Sequence, residues 1–170
     1  MDPGHSQDKA HSMQDIVNTH IHRELESAYH YRMLSALADF EDFPGFAHWF
    51  EVQRQEEEAH AQKLIDFQLS QRAYIEFADL MVETPAARHP RDLMGSALAY
   101  EEALQTFIHA QARKADEIPL EPYRELLDWF IAEQVEEVEQ CKRILADIRR
   151  IGEDFTGLLI LDRELGERAA

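Results

Sequence analysis

The sequence is poor in residues that cross-link chains, break helices or carry positive charge. Cysteine occurs once in 170 residues, at Cys141, so no intrachain disulfide can form and a bridge-stapled secreted scaffold is excluded. Six glycines and six prolines are too few for a chain of short strands and tight turns, and strand-type alternation is nearly absent. No apolar run reaches the roughly 20 residues that span a bilayer. The first segment, Met1–Met13, is polar and lacks the hydrophobic stretch of a signal peptide. Seventeen Lys and Arg stand against thirty-four Asp and Glu, a net charge of −17 that repels nucleic acids and anionic membranes. These absences predict a soluble, cytoplasmic protein with no nucleic-acid or membrane partner, whose natural clients are cations.

What is present is helical. With 45% hydrophobic and 30% charged residues the chain is not disordered, and its length suits a single core. A polar, flexible tail is expected over residues 1–13, followed by one domain over 14–170. Within it, helices are expected from near Asp15 to Phe40, from Phe46 to Gln71, from Asp92 to Asp116 and from Pro122 to Ile151, with Gly152 as the stop of the fourth. Pro44-Gly45 and the Pro119/Pro122 pair mark tight joints, whereas Ala73–Pro90 has no helical stripe and reads as a long connection. A short fifth helix, Thr156 to Leu165, closes the chain. Two helical hairpins joined by a long crossover between helices two and three define an all-α four-helix bundle.

Each long helix carries acid on the stripe that should be buried. Read in alternating steps of three and four, the first gives Val17, Ile21, Glu24, Ala28, Tyr31, Ser35 and Ala38, and the second Phe46, Phe50, Gln53, Glu57, His60, Leu64 and Phe67. The third gives Met94, Ala97, Glu101, Leu104 and Ile108, and the fourth Leu126, Phe130, Glu133, Glu137, Cys141, Ile144 and Ile148. Ionised carboxylates stay buried only against a cation, and no stripe contains Lys or Arg. Glu57 and His60, at i and i+3, share a face and present oxygen and nitrogen to one ion. Mixed Glu and His donors suit iron or a similar transition metal better than calcium. Core packing is the plainer reading of Tyr31, a hydrogen bond to a metal-site carboxylate the sharper one. His5, His11, His20 and His22 read as surface residues.

At these residues the chain resembles the ferritin family, and within it the bacterial non-haem ferritins. The resemblance rests on His22-Arg-Glu24-Leu-Glu-Ser-Ala-Tyr29-His-Tyr31, Gln55-Glu56-Glu57-Glu58-Ala-His60, Tyr100-Glu101-Glu102 and Trp129-Phe-Ile-Ala-Glu133-Gln134-Val-Glu136-Glu137. The intervals of 33 residues from Glu24 to Glu57, 44 to Glu101 and 32 to Glu133 match the family pattern without gaps. It implies a homo-oligomeric shell of 24 subunits that oxidises Fe(II) with dioxygen or peroxide at a di-iron centre and stores a ferric mineral. Carried over, Glu24, Glu57 and His60 would hold the first iron. Glu57, Glu101 and Glu137 would hold the second, and Glu56, Glu133, Glu136 and Glu137 a third. Tyr31 would stand beside the first iron and Gln134 at the edge of the centre.

Departures narrow the resemblance. The fourth helix has no second Glu-x-x-His, and Glu58 stands where a haem-binding relative offers methionine, so no haem is expected. Arg124 and Leu127 replace an acidic pair that lines the iron path in animal ferritins, leaving Glu121, Glu125 and Asp128 as substitutes or as a solvated face. Two rival functions remain at this level: a di-iron oxidoreductase acting on an organic substrate, and a non-catalytic metal-binding subunit.

Overall fold

The computed structural model describes residues 3–86, 88–116 and 121–169, the side chains of 3–12, 116, 121 and 122 apart. The described residues form helices α1 (Pro3–Phe40), α2 (Pro44–Ser70), α3 (Pro90–Asp116), α4 (Glu121–Ile151) and α5 (Phe155–Leu165), and no strand. This is the expected four-helix bundle with a short fifth helix. Four of the five helices start and stop within two residues of the positions read from proline and glycine. The exception is the start of α1, which lies at Pro3 and not near Asp15. Proline suits the first turn of a helix, and with no apolar stripe over the first dozen residues the pattern gave no sign of it.

The turns follow from local chemistry. Between α1 and α2, Asp42 adopts φ 61° and the Phe43 amide donates to Ala38 O at 3.0 Å. Gly152, at φ 64°, stops α4 by donating to Ile148 O at 3.1 Å. The expected joint at Pro119 lies outside the described residues.

The connection after α2 runs along the length of α1. Tyr74 O accepts from Asn18 Nδ2 at 3.3 Å, the Met81 amide donates to Glu26 Oε1 at 3.4 Å, and the Arg88 guanidinium lies 5.4 Å from the Phe40 ring centre. The contact point on α1 thus advances from residue 18 to residue 40, about 33 Å at 1.5 Å per residue. This is the crossover that lets α3 begin at the end of the bundle where α1 stops and α2 starts, so that α3 runs parallel to α2.

Helix α5 seals one end of the bundle. Asp162 Oδ1 accepts from the Phe46 amide at 2.9 Å and so caps α2, which has no cap of its own at Phe43. The approach is close enough to need glycine at residue 45, because a Cβ there would fall 1.5 Å from Asp162 O.

The apolar core is divided in two. One cluster gathers Leu34, Phe46, Phe50, Leu93, Met94, Ile144 and Ile148, with Tyr31 and Cys141 at its margin, and the other Val17, Ile21, Leu64, Leu104, Ile108, Leu127 and Phe130. On every long helix the residues between the clusters are polar and buried: Glu24, Gln53, Glu57, His60, Glu101, Gln134 and Glu137. The fold is therefore built around an acidic layer.

Candidate metal centre

Glu24 projects from α1, Glu57 and His60 from α2, Glu101 from α3 and Glu137 from α4. Glu57 and Glu101 are fully buried and Glu24 and Glu137 nearly so. His60 Nδ1 stands 3.6 Å from Glu24 Oε2 and 3.6 Å from Glu57 Oε2. One donor atom from each of Glu24, Glu57 and His60 lies within 4.8 Å of the others, close enough to hold one ion.

Glu101 and Glu137 occupy the other half of the layer. Glu101 Oε1 accepts from Tyr31 Oη at 2.6 Å, and Oε2 accepts from Gln134 Nε2, which also donates to the Glu101 carbonyl at 3.2 Å. Glu137 Oε2 accepts from Gln53 Nε2 at 2.6 Å. Tyr31 thus combines the two roles considered for it, packing against Trp49 and Phe50 while its hydroxyl serves a carboxylate. Its hydroxyl also lies 3.8 Å from Cys141 Sγ.

Electrostatics show how uncomfortable this layer is without a cation. Burial pushes Glu101 up to about 7 and Glu137 likewise to about 7, their hydrogen bonds to Tyr31 and Gln53 opposing it. Burial, reinforced by the Glu101 charge, raises Glu57 well above the carboxylate range. Burial also works against charge on Glu24, but contacts with His20 and His60 prevail and hold it down to about 2. For His60, burial disfavours the imidazolium, yet Glu24 and Glu57 outweigh it and push the ring up to about 11. Both oxygens of Glu57 and Oε2 of Glu24 are buried without a hydrogen-bond partner, and Glu24 Oε1 meets the His20 ring at 2.8 Å. Such orphaned anionic oxygens are costly, and a multivalent cation is what they fit. Arg54, buried among the described residues, turns instead to Glu51 at 2.7 Å and to Glu58.

His20 corrects the sequence reading. It is not on the surface: it is fully buried, with Nε2 2.8 Å from Glu24 Oε1 and its ring against Phe107 and Phe130. The signal was its spacing, one helical turn before Glu24. His22 is half-buried and faces Glu26 at 3.2 Å.

On α4 the buried position is Gln134; Glu133, read on the stripe from sequence, is half-buried at its flank. Glu136 is exposed. Glu56 is paired with Arg168 Nη2 at 2.7 Å, and Arg168 also donates to Gln53, the partner of Glu137, so Arg168 links Glu56 to the Glu137 side of the layer. Leu127 is fully buried and Arg124 pairs with Asp128 at 3.1 Å, while Glu125 is exposed and the Glu121 side chain lies outside the described residues.

A long helical bundle whose four main helices each deliver a carboxylate to one buried layer has the architecture of carboxylate-bridged metal proteins. The profile of the ferritin-like domain matches residues 14–151, and the chain belongs to that family. It is similar to the bacterial non-heme ferritin of Bacteroides fragilis, 27% identical over 156 residues that cover 92% of this chain and 97% of that protein. It is also similar to the bacterial non-heme ferritin of Staphylococcus aureus, at 26% identity over 154 residues covering 91% and 93%. Among solved structures, an open pore ferritin from the hyperthermophilic archaeon Archaeoglobus fulgidus superposes with a TM-score of 0.88 at 31% identity, covering 93% of this chain and 97% of that one. A humanized archaeal ferritin gives 0.90 at 32% identity, covering 93% and 96%.

Proposed function

We propose that the protein is an iron-storage subunit with ferroxidase activity: it binds Fe(II) in the acidic layer, passes electrons from it to dioxygen or peroxide, and directs the ferric product into a mineral. The observation that carries this reading is the set of buried carboxylate oxygens without a hydrogen-bond partner, Glu24 Oε2 and both of Glu57, beside His60. The family, and the names of its relatives, point to iron as the cation. No helix among the described residues is long and apolar enough to cross a membrane, and a cytoplasmic location with neither membrane nor nucleic-acid partners remains part of the proposal. So do assembly into a 24-subunit shell, the absence of haem and a domain spanning 14–170 behind a segment 1–13.

In this reading Fe(II) is the substrate. Glu24, Glu57 and His60 hold one ion, and Glu57, Glu101 and Glu137 the other, with Glu57 shared. Two ferrous ions lose one electron each, and the oxidant takes up the pair. Hard carboxylate donors favour the ferric product, and the neutral imidazole of His60 completes the first position. Binding displaces the protons that Glu57, Glu101, Glu137 and His60 keep in the metal-free protein. Tyr31 is suited to deliver one further electron, its phenolic proton passing to Glu101 Oε1 at 2.6 Å. A third iron beside Glu56, Glu133, Glu136 and Glu137, with Gln134 at the edge, would hold ferric product close to the centre.

An aerobic ferrous titration of metal-free protein, following ferric absorbance and oxygen uptake, tests the proposal. Fast oxidation saturating at two or three irons per subunit, abolished in Glu57→Ala, followed by slower uptake far beyond that number, is expected. Oxidation no faster than that of free iron, in both proteins, would contradict it and favour a metal-binding subunit without catalysis. Oxygen uptake that requires an organic co-substrate would favour the oxidoreductase alternative.

A further inference from the structure

Arg168 comes after the last helix, yet its side chain is only 19% exposed. Four contacts from α2 fix it. Its guanidinium lies 5.2 Å from the Trp49 ring centre, Nη2 reaches Glu56 Oε2 at 2.7 Å, and Nη1 donates to Gln53 Oε1. Its own carbonyl lies 2.8 Å from His48 Nε2. Gln53 is fully buried, and its other end, Nε2, donates to Glu137 Oε2 at 2.6 Å. A chain of contacts therefore runs from a positive charge on the C-terminal segment, through a buried amide, to a carboxylate of the acidic layer. By accepting from Arg168 at Oε1, the amide is oriented so that its NH2 group meets Glu137.

We propose that Arg168 is a tethered cation that holds the third-iron side of the layer, competing with a metal ion for Glu56, so that the segment after α5 acts as a latch on that position. The inference rests on the reading of the layer as an iron centre with a third site that includes Glu56 and Glu137. A guanidinium bound to Glu56 at 2.7 Å and a divalent ion on the same carboxylate exclude each other by contact and by charge. A groove of about 220 Å³ lined by Trp49, Gln140, Arg143, Ile144, Leu165 and Arg168 gives the side chain room to withdraw while α5 stays docked. The latch leaves Glu24, Glu57, His60 and Glu101 untouched and reaches Glu137 only through Gln53, at Oε2, so the first two positions fill while the guanidinium stays on Glu56 and the third fills only after it leaves.

The test uses Co(II) under anaerobic conditions, as a stand-in that is not oxidised, on the full assembled protein. Calorimetry is run on wild type, Arg168→Gln and Arg168→Lys, with hydrogen–deuterium exchange over residues 163–169 in parallel. Two tight equivalents should be common to all three proteins. The third should bind at least tenfold more tightly in Arg168→Gln, with Arg168→Lys between the two, since lysine keeps the charge but not the forked geometry. In wild type, exchange of the C-terminal segment should stay slow through two equivalents and quicken at the third. An unchanged third affinity in Arg168→Gln, a third site absent from every variant, or a segment whose exchange ignores the metal would each overturn the latch. Loss of the two tight equivalents in wild type would instead overturn the iron-centre reading on which it rests.

Discussion

His20 Nε2 lies 2.8 Å from Glu24 Oε1, and neither side chain is exposed. The imidazole comes from the turn of α1 before the carboxylate and is backed by Phe107 and Phe130, so it fixes one oxygen of Glu24 and leaves the other, Oε2, facing His60. Residues that orient a metal-binding side chain commonly carry 10- to 100-fold in affinity. His20→Leu, which keeps the bulk, should weaken the first metal position by about that factor while the fold survives. Anaerobic Co(II) calorimetry reads it; unchanged affinity would mean that Glu24 is held by packing alone.

Tyr31 makes a second prediction. Tyr31→Phe removes the 2.6 Å bond to Glu101 without changing packing against Trp49 and Phe50. Leaving a buried carboxylate one donor short should lower the stability of the metal-free protein by about 1–3 kcal/mol. With metal bound to Glu101 the penalty should shrink, because the ion replaces the lost donor. Thermal unfolding with and without Co(II) separates the two cases.

The acidic layer also sets a pH dependence with a definite sign. In the unfolded chain Glu101 and Glu137 ionise near the ordinary 4.5, whereas burial keeps their protons on until about 7 in the native state. The native state therefore binds more protons across that window, and stability falls as pH rises from about 4.5 to 7, by up to about 3 kcal/mol per group. Glu24, held near 2, acts only below this window, and His60, pushed from 6.5 to about 11, begins to lose its contribution at the top of the window and loses the rest above it, equally in both proteins compared. Metal-free wild type should lose melting temperature between pH 5 and 7.5 relative to the Glu101→Gln, Glu137→Gln double variant. Parallel curves for the two proteins would show that these carboxylates are solvated.

The seal at the end of the bundle is a packing prediction. Gly45→Ala puts a methyl 1.5 Å from Asp162 O, which only a shift of α5 can relieve. Asp162→Ala removes the cap on the Phe46 amide at 2.9 Å, worth about 1 kcal/mol, or roughly 2–4 °C in a chain of this size. Gly45→Ala should cost more than the loss of the cap, and should also loosen the Arg168 contacts. Melting temperatures unchanged from wild type in both variants would show that α5 adds nothing to the bundle.

Much of this was legible in the sequence because long helices write their burial into a 3.6-residue period. Glu24, Glu57, Glu101 and Glu137 stand on apolar stripes, and proline and glycine mark the joints at Pro44 and Gly152. Where the reading failed, the stripe was too narrow or slightly out of phase. His20 sits beside Ile21 on a face broad enough to bury both, and on α4 the period leaves Glu133 and Gln134 competing for one inward position, which Gln134 takes. Arg168 gives no local signal at all. Its partners lie more than a hundred residues earlier in the chain, and only the docking of α5 on α2 brings them together.

The central claim is that the buried layer between the two apolar clusters is a metal centre. Anomalous diffraction at the iron edge, from crystals soaked anaerobically in Fe(II), locates the ions themselves. Two peaks are expected inside the bundle, about 3.5–4 Å apart, one among Glu24, Glu57 and His60 and the other among Glu57, Glu101 and Glu137. Peaks confined to the exposed acidic surface, with the layer empty, would contradict it.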